Sequence, residues 1–338
     1  MFLDNLNKII AGNDLTEMEM SNSMMEIFSG ELNDVQIGAF MAALATKGET
    51  FEELAGAAKV MRKKAVRIQV NQNNVVDTCG TGGDGLNTFN ISTTNAFVVA
   101  GCGATVAKHG NRSVSSKCGS ADVLEKLGVN LETPPELVEE VIAEVGIGFL
   151  FAPKFHGAMR FAGPARQKLG IRSIFNMIGP LSNPAAADCQ LVGVYAPDLT
   201  EMFAKALNLL GVKRAFVVHG HDGLDEISIC DTTRVSELNS GSYKTYDINP
   251  EDYFGEMADP NDIKGGSVEL NAEIAEKILN GEKGPKRNIT LINAAAALVS
   301  CGKADNFKDG IKLAEESIDS GAAIAKLKQL VEFTQENS

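Results

Sequence analysis

A glycine-rich segment that ends in an acid carries the strongest chemical signal in this sequence. Residues 77–84 read Asp-Thr-Cys-Gly-Thr-Gly-Gly-Asp, after the apolar pair Val75 and Val76 and shortly before a helix-start signal at residues 90–94. A strand, a glycine loop and a helix N-terminus together suit phosphate, because glycine lets the backbone approach an anion and unpaired helix N–H groups favour negative charge. The loop does not end in Gly-Lys-Ser or Gly-Lys-Thr, so it is not a P-loop. It also lacks the G-x-G-x-x-G spacing of a dinucleotide-binding site. Asp84 suggests a ligand that also carries a metal or a sugar hydroxyl, although a tight structural turn remains open.

Two polar motifs at the ends of predicted elements extend this signal. Residues 90–93, Asn-Ile-Ser-Thr, place hydroxyl groups at a helix start, where they either cap the helix or bind metal and phosphate. Residues 108–112, Lys-His-Gly-Asn-Arg, directly follow a predicted strand at residues 104–107. A cation on each side of this glycine turn favours anion binding over a solvated surface.

Two further motifs point to the same kind of ligand. Residues 115–122 precede a clear helix, so they form either a second helix N-terminus aimed at phosphate or a structural cap. Asp225 and Glu226 come after a predicted buried strand at residues 215–219. Adjacent carboxylates are often only a solvated turn, but hard oxygen ligands at this position suit one or two Mg²⁺ ions that also hold phosphates.

The composition restricts the classes of partner. The chain has 338 residues, of which 44% are hydrophobic, and a formal net charge of −13. This charge disfavours general binding to nucleic acid or anionic membranes, while local Lys and Arg can still form a site for a small anion. Six cysteines without C-x-x-C spacing indicate reduced thiols. With no evident signal peptide and no apolar run long enough to span a bilayer, we expect a soluble cytoplasmic protein.

The predicted elements divide the chain into two parts. Residues 1–67 contain only helical patterns, with capping boxes at Thr16 and Thr50 and a helix opening at Asn33. From residue 72 to 338, short apolar strands alternate with helices, which is typical of an α/β domain with a mostly parallel central sheet. The predicted strands are residues 75–78, 104–107, 146–151, 191–195, 215–219 and 227–230. A segment rich in Gly, Pro and Arg at residues 152–182 is predicted to connect the two parts, with part of 160–182 as a hinge.

Taken together, these motifs resemble those of the anthranilate phosphoribosyltransferase family. The segments 80–84, 90–93, 108–112 and 225–226 occur in the order and spacing of that family, as does Arg166 ahead of the run Asn-Met-Ile-Gly-Pro-Leu-Ser-Asn-Pro at residues 176–184. The resemblance covers nearly the whole chain. It implies a small helical domain joined by hinges to a larger α/β domain, as in nucleoside phosphorylases, and a homodimer that forms through the helical domains. It also implies transfer of a phosphoribosyl group from phosphoribosyl pyrophosphate to anthranilate, in tryptophan biosynthesis.

The resemblance also assigns roles to individual residues. The donor phosphoribosyl pyrophosphate would be bound by Gly80, Gly82, Gly83, Asp84, Thr88, Asn90, Ser92, Thr93, Lys108 and Ser120. The acceptor anthranilate would be bound by Gly80, His109, Gly110, Asn111 and Arg166. Two Mg²⁺ ions would be held by Ser92, Asp225 and Glu226, and the catalytic groups would be Lys108, Asp225 and Glu226.

Two other functions are compatible with the domain plan. A pyrimidine-nucleoside phosphorylase also binds phosphate on a glycine loop, but it has a different sequence where this chain has residues 108–112, and it needs no Asp-Glu pair for Mg²⁺. A non-catalytic relative that binds nucleic acid should display a broad basic face, which a net charge of −13 disfavours.

Overall fold

The fold is described by a computed structural model that covers residues 1–113 and 118–337. Residues 115–117 of the predicted second helix-start motif therefore lie outside the described residues. Within the described ranges, no helix combines the length and the apolar character that crossing a bilayer requires.

The N-terminal part consists of helices. They are α1 (Phe2–Ile10), α2 (Glu17–Ile27), α3 (Asp34–Lys47) and α4 (Phe51–Lys64). The helices α2, α3 and α4 begin with capping boxes at Thr16, Asn33 and Thr50, in which the cap side chain and the residue three positions later satisfy each other's backbone amides. This reciprocal pairing is local, so the sequence alone predicted where these helices start.

A single mixed sheet lies at the centre of the remaining chain. Its strands are β1 (Val76–Gly80), β2 (Val106–Gly110), β3 (Ile147–Phe151), β4 (Cys189–Gly193), β5 (Arg214–Gly220), β6 (Thr233–Asn239) and β7 (Ser242–Ile248). Their order is β3-β2-β1-β4-β5-β6-β7, with β1 to β5 parallel and β6 and β7 added as an antiparallel hairpin. The predicted fold class, a small helical part and an α/β part with a mostly parallel sheet, is confirmed.

Helices cover both faces of this sheet. They are α5 (Ile91–Gly101), α6 (Ser120–Lys126), α7 (Pro135–Val145), α8 (Ala152–Phe155), α9 (Gly163–Leu169), α10 (Ile174–Met177), α11 (Leu199–Leu209), α12 (Glu251–Phe254), α13 (Val268–Leu279), α14 (Pro285–Ser300), α15 (Phe307–Asp319) and α16 (Ala322–Glu336), with a 3₁₀ turn at Gly157–Phe161. One apolar core packs α5, α14 and α16 against the sheet. A second core joins the N-terminal helices to α9, α10, α11 and the other face.

The order of the strands explains where a ligand can enter. The chain runs from β1 to β2 and β3 on one side, and then returns to β4 on the other side of β1. In open α/β sheets, ligands bind outside the carboxyl ends of the strands where the order reverses in this way. The glycine loop that follows β1 lies at this point.

One displaced strand boundary and one absent strand matter for the site, while the other predicted strands overlap the observed ones with ends shifted by one or two residues. Strand β2 extends to Gly110, so Lys108 and His109 lie within the strand instead of after it, because their backbone pairs with β3. Residues 227–230 form no strand. The backbone of Ile227 is hydrogen-bonded to the side-chain amide of Asn293 on α14, so a helix side chain satisfies the groups that a neighbouring strand would otherwise pair.

Candidate active site

A cavity of about 1010 Å³ lies at the carboxyl ends of the parallel strands. Its walls come from the loops after β1, β2 and β5, from the start of α5, and from the segment that contains α8 to α10. The cavity is lined by every residue predicted for the site: Gly80, Gly82, Gly83, Asp84, Thr88, Asn90, Ser92, Thr93, Lys108, His109, Gly110, Asn111, Ser120, Arg166, Asp225 and Glu226. The structure thus brings these residues together, while their individual roles remain predictions.

The glycine loop after β1 uses backbone conformations that other residues rarely adopt. Gly82 and Gly83 have φ angles of +67° and +84°, in the left-handed region that favours glycine. The Gly82 amide donates a hydrogen bond of 2.8 Å to Oδ2 of Asp225. A Cβ atom at Gly80 would lie 3.0 Å from the same oxygen. The glycine loop therefore packs directly against Asp225, and a side chain at residue 80 would crowd the Asp225 carboxylate.

The acidic pair after β5 is poorly neutralised by the protein. Burial raises the pKa of both Asp225 and Glu226. The neighbouring acid Asp84 adds to this effect at Asp225, and Asp225 adds to it at Glu226. Glu226 is buried, and its Oε1 accepts a hydrogen bond of 3.1 Å from the Ser92 amide. Its Oε2 is also buried, and no residue in the described part of the chain bonds to it. Buried negative charge that lacks partners is costly, so this site favours a bound cation.

The donor set of this site fits magnesium. Mg²⁺ is usually held by one or two carboxylates together with substrate phosphates and water, and the acidic pair with the nearby Ser92 supplies such hard oxygen ligands. Across residues 1–113 and 118–337, no three His, Cys, Asp or Glu side chains converge into a complete metal cluster. The protein part of a site for Mg²⁺ therefore needs phosphate oxygens or water to complete it.

The start of α5 leaves polar groups available to a ligand. Asn90 does not cap the helix with its side chain, which instead donates to the Cys118 carbonyl at 3.3 Å and accepts from Asn271 at 3.0 Å. The hydroxyl of Thr93 is buried, and within the described residues it has no hydrogen-bond partner. Asn90 therefore does not cap α5 through its side chain, and the Thr93 hydroxyl remains an unused donor at the helix N-terminus.

Lys108 reaches the site from inside the sheet. Its side chain is almost fully buried, and its Nζ donates to the Thr78 carbonyl at 2.5 Å. Burial lowers the pKa of Lys108, while the charges of Asp77 and Glu226 act in the opposite direction. An ammonium in this setting acts on nearby anions through a weakly screened field.

The sheet opens between β1 and β2 to accommodate these charges. The two strands pair only at Val76 and Val106, whereas β1 and β4 stay in register from Val76 to Gly80. Beyond that point the Asp77 carboxylate fills the gap: it accepts from the His109 amide at 3.0 Å and from Nδ2 of Asn183 at 2.8 Å. Asp77 and Asn183 belong to motifs that the sequence analysis quotes, but it assigned them no role, because Asp77 is 32 residues from His109 and 106 residues from Asn183 in the chain.

Removing the Asn183 side chain should destabilise the protein. Its amide also donates to the Ala107 carbonyl at 2.8 Å, so Asn183→Ala leaves two buried acceptors without that donor. We expect a loss of about 3 kcal/mol in the free energy of unfolding, since each buried unsatisfied group costs about 1–3 kcal/mol. Urea unfolding of Asn183→Ala, Asp77→Ala and the double variant tests this. Strictly additive losses would contradict a direct interaction between the two side chains.

The far wall of the cavity carries cationic and aromatic groups. The Arg166 guanidinium of α9 lies 5.6 Å from the ring centroid of Phe175. Burial lowers the pKa of Arg166, and within the described residues no acid offsets that effect. Arg112 differs, because Asp122 and Glu125 accept its hydrogen bonds at 2.8–2.9 Å. Arg166 therefore retains the charge to pair with an anion, whereas the predicted anion site at Arg112 is already neutralised by protein acids.

Two buried histidines meet next to this wall. Nε2 of His109 lies 3.1 Å from Nε2 of His156. Burial lowers the pKa of His109 to about 3 and that of His156 to about 4, so both rings are neutral at pH 7. Sequence reasoning missed His156. The available signal was its position shortly after the apolar strand β3, at the end of the sheet where α/β enzymes place functional groups.

Comparisons with known proteins agree with this architecture and site. A model described as glycosyl transferase family, helical bundle domain, matches residues 3–65, and one described as glycosyl transferase family, a/b domain, matches residues 72–324. The two matches define a glycosyl transferase with a helical bundle and an α/β domain.

Similar proteins of known family identify a single family within this class of glycosyl transferases. The anthranilate phosphoribosyltransferase of Desulfosudis oleivorans is 66% identical over 338 residues, and that of Syntrophobacter fumaroxidans is 64% identical over 337 residues, with 100% of both chains covered in each case. The crystal structure of the Thermus thermophilus enzyme matches with a TM-score of 0.93 and 42% identity, over 98% of this chain and 99% of that one. The Saccharomyces cerevisiae enzyme in complex with PRPP and Mg matches with a TM-score of 0.90 and 29% identity, over 99% and 98%. The chain belongs to the anthranilate phosphoribosyltransferase family.

Proposed function

We propose that this chain transfers the 5-phosphoribosyl group from phosphoribosyl pyrophosphate to anthranilate, which yields N-(5-phosphoribosyl)anthranilate and pyrophosphate in tryptophan biosynthesis. The observation that carries this proposal is the content of one cavity. It holds a glycine loop, an acidic pair that the protein neutralises poorly, and Arg166, a cation for which the described residues supply no counter-ion. The first two features suit a metal-bound pyrophosphate, and the third suits an aromatic carboxylate. Full-length relatives that are 50–66% identical support the same pair of substrates.

The donor would lie on the glycine loop and the start of α5. Gly80, Gly82 and Gly83 leave room for the pyrophosphate and ribose, and Asp84 would accept from ribose hydroxyls. The amide of Asn90 and the hydroxyls of Thr88, Thr93 and Ser120 would donate to phosphate oxygens. Lys108 would stabilise the charge that develops on the leaving pyrophosphate, since preorganised donors in a dry site act most strongly where charge develops.

We further propose that two Mg²⁺ ions accompany the donor. Ser92, Asp225 and Glu226 would hold them, and the unbonded Oε2 of Glu226 is the observation that supports this assignment. Yeast relatives have been solved with Mg bound. When bound, the ions would neutralise pyrophosphate oxygens and so make pyrophosphate a better leaving group.

The acceptor would occupy the wall formed by α9 and the end of β2. Arg166 would pair with the anthranilate carboxylate, because a planar guanidinium offers two donors to two oxygens. His109, Gly110 and Asn111 would shape the pocket around the aromatic ring. A yeast relative has been solved in complex with 4-fluoroanthranilate. Holding the amine in line with the anomeric carbon is then the main remaining task of the protein.

Loss of anthranilate fluorescence tests the function directly. Protein mixed with anthranilate, phosphoribosyl pyrophosphate and Mg²⁺ should quench the fluorescence, and EDTA should stop the loss. Incubation with phosphate and thymidine or uridine should release no free base. Phosphorolysis without any loss of anthranilate would instead support the pyrimidine-nucleoside phosphorylase alternative.

Replacing Arg166 should weaken binding of the acceptor selectively. We expect Arg166→Ala to raise the KM for anthranilate about 10- to 100-fold, because a charge-assisted hydrogen-bonded pair is worth about 1.5–3 kcal/mol. The KM for the donor should change less than about threefold, because the variant removes no hydrogen bond to the donor. Arg166→Lys serves as the matched control: it keeps the charge without the two-point geometry, and its effect should be intermediate. Equal effects on both substrates would sink the acceptor assignment.

The remaining assignments concern assembly and domains. We propose that residues 1–67, with part of 160–182, form one domain and that residues 72–338 form the other, which the family matches at residues 3–65 and 72–324 support. We also propose a homodimer through the helical domains, since exposed apolar side chains lie there, among them Leu3, Met18 and Val35. Light scattering should then give twice the chain mass of 35.9 kDa. A cytoplasmic location stays a prediction from the cysteine pattern.

A further inference from the structure

The hydrogen bond between His109 and His156 has a defined direction. The Gly179 backbone interacts with the His109 ring and favours its protonated form, which is the effect of a carbonyl oxygen that accepts from a ring N–H. Because Nε2 of His109 faces His156, the N–H must be Nδ1, and Nε2 of the neutral ring carries a lone pair. Nε2–H of His156 therefore donates to His109. A neutral imidazole has one ring proton, so Nδ1 of His156 also carries a lone pair.

This second lone pair is buried and unused. The side chain of His156 is 5% exposed, and Nδ1 has no hydrogen-bond partner in the part of the chain that the structure describes. His156 lines the same cavity as Arg166. Since a buried acceptor without a donor costs about 1–3 kcal/mol, the site gains most from a ligand that brings an N–H or O–H group to this atom.

We infer that His156 accepts the proton that the anthranilate amine loses when it is phosphoribosylated, an inference that rests on the proposed function. As the amine nitrogen bonds to the anomeric carbon, the bond from that carbon to the pyrophosphate oxygen breaks, and its electron pair leaves with pyrophosphate. The nitrogen becomes a positively charged arylammonium and gives one proton to Nδ1 of His156. The resulting imidazolium keeps its Nε2–H bond to His109.

The chemistry of the acceptor makes a weak base sufficient. An arylammonium is a much stronger acid than an imidazolium, because the ring withdraws the nitrogen lone pair once the proton leaves. Burial, which lowers the pKa of His156, keeps the ring neutral and ready to accept. The lone pair of His109 is already occupied by His156, and Lys108 is a hydrogen-bond donor. His156 is thus better placed than His109 as the proton acceptor.

Single-turnover kinetics with enzyme in excess test this role. We expect His156→Ala to slow product formation by about 10²–10⁴-fold, the range of general base catalysis, with little change in the Kd for phosphoribosyl pyrophosphate. Added imidazole should restore part of the rate, and the restored rate should rise with imidazole concentration. Unchanged donor binding shows that the variant is folded. A wild-type rate in His156→Ala would overturn the inference.

Two size-matched variants separate proton transfer from positioning. His156→Asn places an amide where Nδ1 was, so it can accept a hydrogen bond but not a proton. His156→Gln places an amide where Nε2 was, so it can hold His109 without a group at Nδ1. Both should stay slow, and recovery of the wild-type rate by either variant would overturn the inference. If the wild type itself forms no product from anthranilate, the proposed function has failed, and that result precedes any comparison of variants.

Discussion

Glu226→Gln should abolish nearly all turnover and at the same time raise the melting temperature of the metal-free protein. Turnover should fall by about 10²–10³-fold or more, because the variant loses the carboxylate that would hold Mg²⁺ beside the leaving pyrophosphate. Stability should rise because the wild-type carboxylate is buried, lies next to other acids, and has an oxygen without a partner in the described residues. The neutral amide of Gln avoids that cost.

The gain in stability should depend on pH in one direction. The pKa of Glu226 is raised from 4.5 to about 8 in the folded protein. Between those values the unfolded chain has released this proton while the folded chain retains it, so wild-type stability falls as pH rises. The difference between Glu226→Gln and the wild type should therefore grow from about pH 4.5 to about pH 8 and then level off.

Thermal melts in EDTA and in Mg²⁺, followed across pH, measure both effects. Mg²⁺ should stabilise the wild type and have little effect on Glu226→Gln, because a ligand stabilises only the state that binds it. Glu237→Gln is a matched control on β6: its carboxylate accepts from Tyr246 and pairs with Lys244. It should leave turnover unchanged and bring no gain in stability. Equal stabilisation of the wild type and Glu226→Gln by Mg²⁺ would refute the metal assignment.

The part of the site that sequence predicted is encoded locally. The glycine loop needs left-handed backbone conformations at Gly82 and Gly83, and only a short run of glycines supplies them. The acidic pair Asp225 and Glu226 follows an apolar strand, so the sequence places it at a strand end. In both cases the residue types and the adjacent residues in the sequence are enough to predict the feature. The resemblance to a family then connected these separate motifs into one site.

The part that sequence missed depends on contacts between distant segments. In the sequence, Asp77 looks like an ordinary polar residue at the start of a strand. Its role between β1 and β2 depends on the hydrogen bond from Asn183, which only the folded chain brings next to it. His156 follows α8, and it gains its orientation from His109 on strand β2. The boundary of β2 was misplaced for the same reason, since the buried polar residue Lys108 looks like the end of a strand until β3 pairs with it. Polar residues inside a core are where hydrophobic periodicity gives the least information.

Lys108→Met should affect both the proposed catalytic role of this lysine and its structural role. Turnover should fall by about 10²–10³-fold, the usual loss when one preorganised charge or donor at a leaving group is removed. Stability should also fall, by about 3 kcal/mol, because removing one partner leaves the buried charge of Asp77 uncompensated. Both losses come from one substitution, so a second change is needed to tell them apart.

Adding Asp77→Asn to Lys108→Met supplies that second change. The double variant removes both charges, and one oxygen at residue 77 can still accept from the His109 amide. It should therefore regain part of the lost stability in urea unfolding, but no turnover, because the field at the pyrophosphate site is still missing. Lys126→Met on α6 is the control for loss of an exposed lysine, and it should change neither quantity. Recovery of turnover in the double variant would mean that Lys108 supports the fold of the site and does not act on the leaving group.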